Sequence, residues 1–237
     1  MSYQSIQDRP HNIGRVGCIG EPAAPAASAT PPFRFFCPIG CAPQTAAQCQ
    51  RNVAQAIRDA IVLADRAAQR LEQRDAETLR LFRFFFGAPL RPVPWADNRP
   101  AADLVAQRYR AVAAGFRTRV PHVRCSNQAG CNAFVQPRAA PSAAIPLPRN
   151  TILLCPPFWG PGPTGTVPRF RRAAILLHEM LHLLFWEFFG HQANLPRPGD
   201  PEERRRDNSH CYEAFALRVN GHAAEAADVG ACRARPA

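Results

Sequence analysis

The segment RFRRAAILLHEMLHLLFWEFF (169–189) constrains this chain more than any other, because it is apolar on almost every side yet carries two histidines and a glutamate at its centre. Pro168 suits a helix start and Gly190 a helix stop, so the pattern predicts one long helix. A helix that is apolar all round is buried in a protein or in a membrane. The apolar run is too short to span a bilayer, which leaves a core helix with a polar patch. Buried polar groups are costly without partners. His178 and His182 are four residues apart and share a helical face, so both can reach one metal ion, with Glu179 beside them. The spelling H-E-x-x-H supplies two metal ligands and a general base for a metal-activated water. At this chain's own residue frequencies it would arise by accident about once or twice per hundred such sequences. The competing reading is a pair of core histidines hydrogen-bonded to backbone.

The net charge is +11, and all 29 basic residues are arginine. They are scattered, with clusters only at Arg169/Arg171/Arg172 and Arg204–Arg206, and no nucleic-acid motif accompanies them. A solvated basic surface is therefore expected rather than a nucleic-acid interface. No transmembrane segment is expected, and the N-terminus lacks the apolar core of a signal peptide. Nine cysteines point the other way, towards disulfides and an extracellular setting, and the odd count leaves at least one unpaired within the chain. Cys37, Cys41 and Cys49 lack zinc-ribbon spacing, so bridges are favoured over a second structural metal.

A chain of 237 residues fits one domain with tails. Residues 1–36 read as a flexible arm rich in Pro and Ala, 37–222 as the folded domain, and 223–237 as a tail. Helical spacing marks Cys49 to Glu72, with Val53, Ile57, Ile61, Val62, Ala68 and Leu71 on the apolar face. A second apolar segment, Leu79–Phe86, stops at Gly87, and a third helix spans Ala101–Phe116 with Leu104, Val105, Tyr109 and Val112 inward. The period then shortens to strands at 122–125, 132–135 and 151–155. A polar loop, 192–208, leads to a final helix at 209–221. Helices, a small sheet, the motif helix and a last helix make an α+β, zincin-like layout.

Cys49 opening an Ala-rich helix, Phe85-Phe86-Gly87, the Val105–Phe116 helix, Cys125, Ala133-Phe134-Val135, Ile152 to Pro156, Phe158-Trp159 and the motif helix follow one another in order. In that order the chain resembles the deuterolysin-type zinc metallopeptidases (aspzincins) over most of 49–222. The resemblance implies a zinc endopeptidase acting on a protein or peptide substrate as a monomer, with one catalytic Zn²⁺ and neither nucleic acid nor membrane as partner. It also implies a Cys125–Cys155 bridge. The family's G-T-x-D-x-x-Y-G string, which carries the third ligand, is not found here. Asp207-Asn208-Ser209-His210-Cys211-Tyr212 to Phe215 instead resembles the D-N-A-x-x-Y-x-x-F segment of a divergent branch. The third ligand stays open between Asp207, which also suits a helix cap, His210 on the same side, His191 nine residues past His182, and Glu213. Tyr212 corresponds to the tyrosine expected to assist the oxyanion. Ala133-Phe134-Val135 could align a substrate by strand addition. The alternative is a non-catalytic zinc-binding or interaction protein on the same fold; intact Glu179 counts against it.

Overall fold

Thr45 and Gln48 set where the first long helix begins. Thr45 caps it by accepting from the Gln48 N–H at 3.3 Å, and Gln48 Oε1 accepts from the Thr45 N–H at 2.8 Å, a reciprocal capping box. In the computed structural model, residues 31–37, 41, 44–125, 133–136, 150–160, 167–185, 201–225 and 232 are described. Helix α1 (Ala46–Gln73) ends at Arg74, which turns left-handed at φ 54°, and Asp75 at once caps α2 (Ala76–Phe86) through the Thr78 N–H. The inward face of α1 follows the expected spacing except at Val62, which is exposed. Gly87 closes α2 at φ 90°, and a Cβ there would collide with the side chain of Glu202.

A short hairpin of β2 (Pro92–Val93) and β3 (Arg99–Pro100) leads into α3 (Ala101–Thr118), on which Leu104, Val105, Tyr109 and Val112 are buried as expected. Four strands form a mixed sheet, β1 (Arg34–Phe36), β4 (His122–Cys125), β5 (Ala133–Gln136) and β6 (Thr151–Leu154), in the order β1-β4-β6-β5. β1 and β6 flank β4 in parallel, and β5 joins β6 antiparallel. All four residues of β6 are buried, as a central strand of a covered sheet requires. The short helix α4 (Pro156–Trp159) follows, then α5 (Arg169–Leu184), α6 (Glu202–Arg206) and α7 (Ser209–Val219). Among the described residues, β5 is an edge strand lying against α5.

The molecule is thus α+β, and α5 is its hub. It packs against α1, α3, α7 and β5, and Ala173–Leu181 are all buried. At its crossing with α3, a Cβ on Gly115 would stand 3.0 Å from the Met180 sulfur, so a glycine lets the two helices approach closely. α5 ends at Leu184; the expected stop at Gly190 lies outside the described residues.

Several expectations change. The composition predicts an arm running to residue 36, yet Arg34–Phe36 form β1. Three residues give too little periodicity to read locally; their strand exists only because β4 pairs with them. That pairing also redirects a disulfide. Phe36 lies opposite Arg124, so the next residues, Cys37 and Cys125, form the bridge, and Cys125–Cys155 does not exist. Cys155 is itself disulfide-bonded. Two further bridges, Cys41–Cys49 and Cys211–Cys232, tie a flanking segment to each of α1 and α7. Cys232, expected in a tail, is buried. The arginine cluster at 204–206 is not simply a solvated surface. Arg205 donates to the Phe84 and Phe85 carbonyls and Arg206 to that of Phe86, each at 3.2 Å, satisfying the carbonyls that end α2. The residues that do this form α6, inside what reads as a polar loop.

Candidate metal centre

His178 and His182 project from α5 towards one point. Their Nε2 atoms are 3.1 Å apart and their ring centroids 4.8 Å apart. α7 crosses the same face of α5 and adds a third polar atom, Ser209 Oγ, 3.0 Å from His178 Nε2 and 3.1 Å from His182 Nε2. The opposite nitrogen of His178, Nδ1, lies 3.3 Å from Glu213 Oε2. His210 approaches that same oxygen at 3.8 Å and sets its ring edge-on to His178, 4.3 Å between centroids. Arg171, about two helical turns before His178, donates to Glu213 Oε1.

The start of α7 is held from three directions. Asn208 caps it by accepting from the His210 N–H at 3.0 Å. Arg108 of α3 donates to the Arg206 carbonyl, to Asp207 Oδ1 through both terminal nitrogens at 3.0 Å, and to the Tyr212 hydroxyl at 3.0 Å. Tyr109 donates to the Tyr212 carbonyl at 2.7 Å. Behind these bonds, Phe82, Phe85, Phe86, Tyr109, Tyr212 and Phe215 form one aromatic cluster in which the large rings are fully buried.

Charge in this pocket is sorted by environment. Burial lowers the His178 pKa and outweighs the bond to Glu213, which favours the neutral ring. Burial alone would raise Glu213, but bonds from His178 and His210 and the Arg171 guanidinium hold it well below the usual carboxylate range. An ionised Glu213 accepting from Nδ1 assigns the His178 proton to that nitrogen and leaves the Nε2 lone pair facing His182 and Ser209. Glu179 is the opposite case. It is 4% exposed, its Oε2 has no hydrogen-bond partner among the described residues, and burial followed by repulsion from Glu213 pushes its pKa up to about 8.

The residues fit a metal. His178, His210 and Glu213 form a group whose ligand atoms lie within 4.8 Å of one another and could hold an ion. His178 therefore has two metal-competent faces, Nδ1 towards Glu213 and Nε2 towards His182. Two nitrogens on one tetrahedral zinc, each at 2.0–2.1 Å, are about 3.3 Å apart. The Nε2 pair at 3.1 Å is close to that separation. On the other face, Glu213 is already neutralised by Arg171. The orphaned Glu179 oxygen is a third sign, since a buried acceptor without a donor is rare in a finished fold.

Of the residues named from sequence, His178, Glu179, His182, His210 and Glu213 come together. Asp207 is engaged by Arg108, while burial raises its pKa against that pairing. Tyr212 is completely buried with its hydroxyl turned to Arg108. His191 lies outside the described residues. Ser209 and Arg171 were missed. Arg171, His178 and His182 stand at i, i+7 and i+11, one stripe of a helix, which is a readable signal for Arg171. Ser209 had none beyond sharing a face with Glu213. No protein-family model matches this sequence, and no curated protein is similar to it.

Proposed function

We propose that this chain is a zinc-dependent endopeptidase of zincin-like fold, a divergent relative of the aspzincins. The observation that carries the reading is the convergence of His178 and His182 Nε2 at 3.1 Å while Glu213 holds the far nitrogen of His178. A carboxylate behind a ligating imidazole fixes its tautomer and strengthens it as a ligand. His178 and His182 would hold the ion, and bound Zn²⁺ would supply a water of lowered pKa and polarise a scissile carbonyl.

The remaining work falls to the chain. Glu179 follows His178 directly and has an oxygen to spare, so it is the base that takes a proton from the attacking water. A neighbouring cation lowers the pKa of about 8 towards the operating range, where the same carboxyl can release the proton to the leaving amine. Arg171 and Glu213 keep His178 oriented throughout. β5, an edge strand against α5, offers backbone groups to which an extended peptide can pair. The tyrosine role fits less well: Tyr212 is buried with its hydroxyl accepting from Arg108, so it braces that guanidinium in this geometry. A non-catalytic zinc-binding protein is the competing reading, and Glu179→Gln separates the two. The peptidase keeps one zinc per chain and loses casein or peptide hydrolysis by orders of magnitude. A wild-type protein that binds zinc and cleaves no peptide would favour the carrier.

A further inference from the structure

We infer that Ser209 is the third protein ligand of the metal, its Oγ completing a triangle with His178 Nε2 and His182 Nε2. This rests on the reading above, that the ion lies on the Nε2 face of His178. The three atoms are mutually 3.0–3.1 Å apart, with Ser209 3% exposed. Proton counting makes the cluster informative. Glu213 Oε2 stands 3.3 Å from His178 Nδ1, and a carboxylate there favours the tautomer that brings only a lone pair to the triangle. Ser209 brings one O–H and two lone pairs. Three close contacts thus share at most two protons, and a cation placed against the triangle satisfies all three atoms at once. Edges of this length are close to the separation of about 3.3 Å between donors around one tetrahedral zinc. A hydroxyl is an admissible oxygen ligand; serine and threonine serve divalent ions in phosphate-binding loops.

Among the described residues, the other candidates for third ligand are committed. Asp207 Oδ1 receives both terminal nitrogens of Arg108, Glu213 is paired with Arg171, and His210 faces Glu213 on the Nδ1 side of His178. Ser209 is also the best fixed of the set. It is the first residue of α7, directly after the Asn208 cap, and Arg108 pins the turn before it. A neutral ligand set of two imidazoles and a hydroxyl leaves the full double charge on the ion, next to Glu179, where a carboxylate ligand would have halved it.

The test uses the full-length oxidised protein loaded with Co²⁺ or Zn²⁺. Ser209→Cys keeps the side chain's size and places a sulfur at the same point, so the cobalt-loaded variant gains an intense near-ultraviolet thiolate-to-metal band absent from the wild type. Ser209→Ala weakens zinc, measured by competition with a chelator, by at least about tenfold. Wild-type protein that takes up no metal, with His178→Ala indistinguishable from it, ends the proposed function and this inference together. Metal bound by the wild type, lost in His178→Ala, but with no sulfur band in Ser209→Cys or no weakening in Ser209→Ala, overturns the Ser209 assignment alone.

Discussion

Replacing Glu179 with glutamine should abolish a loss of stability that the native carboxyl imposes as pH rises. The native side chain is 4% exposed, with a folded pKa of about 8 against 4.5 for the free group. At 1.36 kcal/mol per pKa unit, the folded chain holds that proton more tightly by about 5 kcal/mol. Between these two pKa values the unfolded chain binds fewer protons, so metal-free stability falls as pH rises. About 3–4 kcal/mol of the loss lies between pH 5 and pH 8. Glutamine has no proton to lose and is of nearly the same size. Glu213, whose folded pKa is depressed, contributes stability above its unfolded value that is lost in acid; His178, with a lowered folded pKa, favours the fold as pH rises through 6.5. Both are common to wild type and variant, so their difference isolates Glu179. Urea unfolding of chelator-treated protein at pH 5, 6, 7 and 8 measures it. The variant should be near wild type at pH 5 and more stable by about 3 kcal/mol or more at pH 8. A difference constant within about 1 kcal/mol across that range would refute the desolvated environment assigned to this carboxyl.

Two further perturbations probe the supports of the site. Glu213→Gln removes the charge that orients His178, and zinc affinity measured by chelator competition should fall about 10- to 100-fold without loss of one-to-one stoichiometry. Phe215→Ala opens the aromatic cluster behind α7, where the ring meets Phe82, Phe85, Phe86 and Tyr109, and should cost about 3–5 kcal/mol in denaturant unfolding.

The long helices were legible because their signals are local. The apolar faces of α1 and α3 follow from a period of 3.6 residues, the end of α2 from Gly87 and the burial of α5 from its unbroken apolar run, and none needs knowledge of neighbours. The short elements were not. β1 has three residues and α6 five, and each is stabilised by a partner distant in sequence, β4 for one and the end of α2 for the other. Composition misread Arg205 and Arg206 for the same reason: a guanidinium can serve buried carbonyls as well as it serves water, and only the fold says which.

By itself the sequence determined that two imidazoles and a carboxyl share one turn of a buried helix, since residues four apart on an α-helix must lie on one face. It also determined that such a helix needs partners for its polar atoms. Which atoms those are was decided only when α7 crossed α5. That crossing brings Ser209 and Glu213, about thirty residues away, to opposite nitrogens of His178, and turns Asp207 towards Arg108. Distances across a helix crossing depend on packing of the whole core, and no local pattern encodes them.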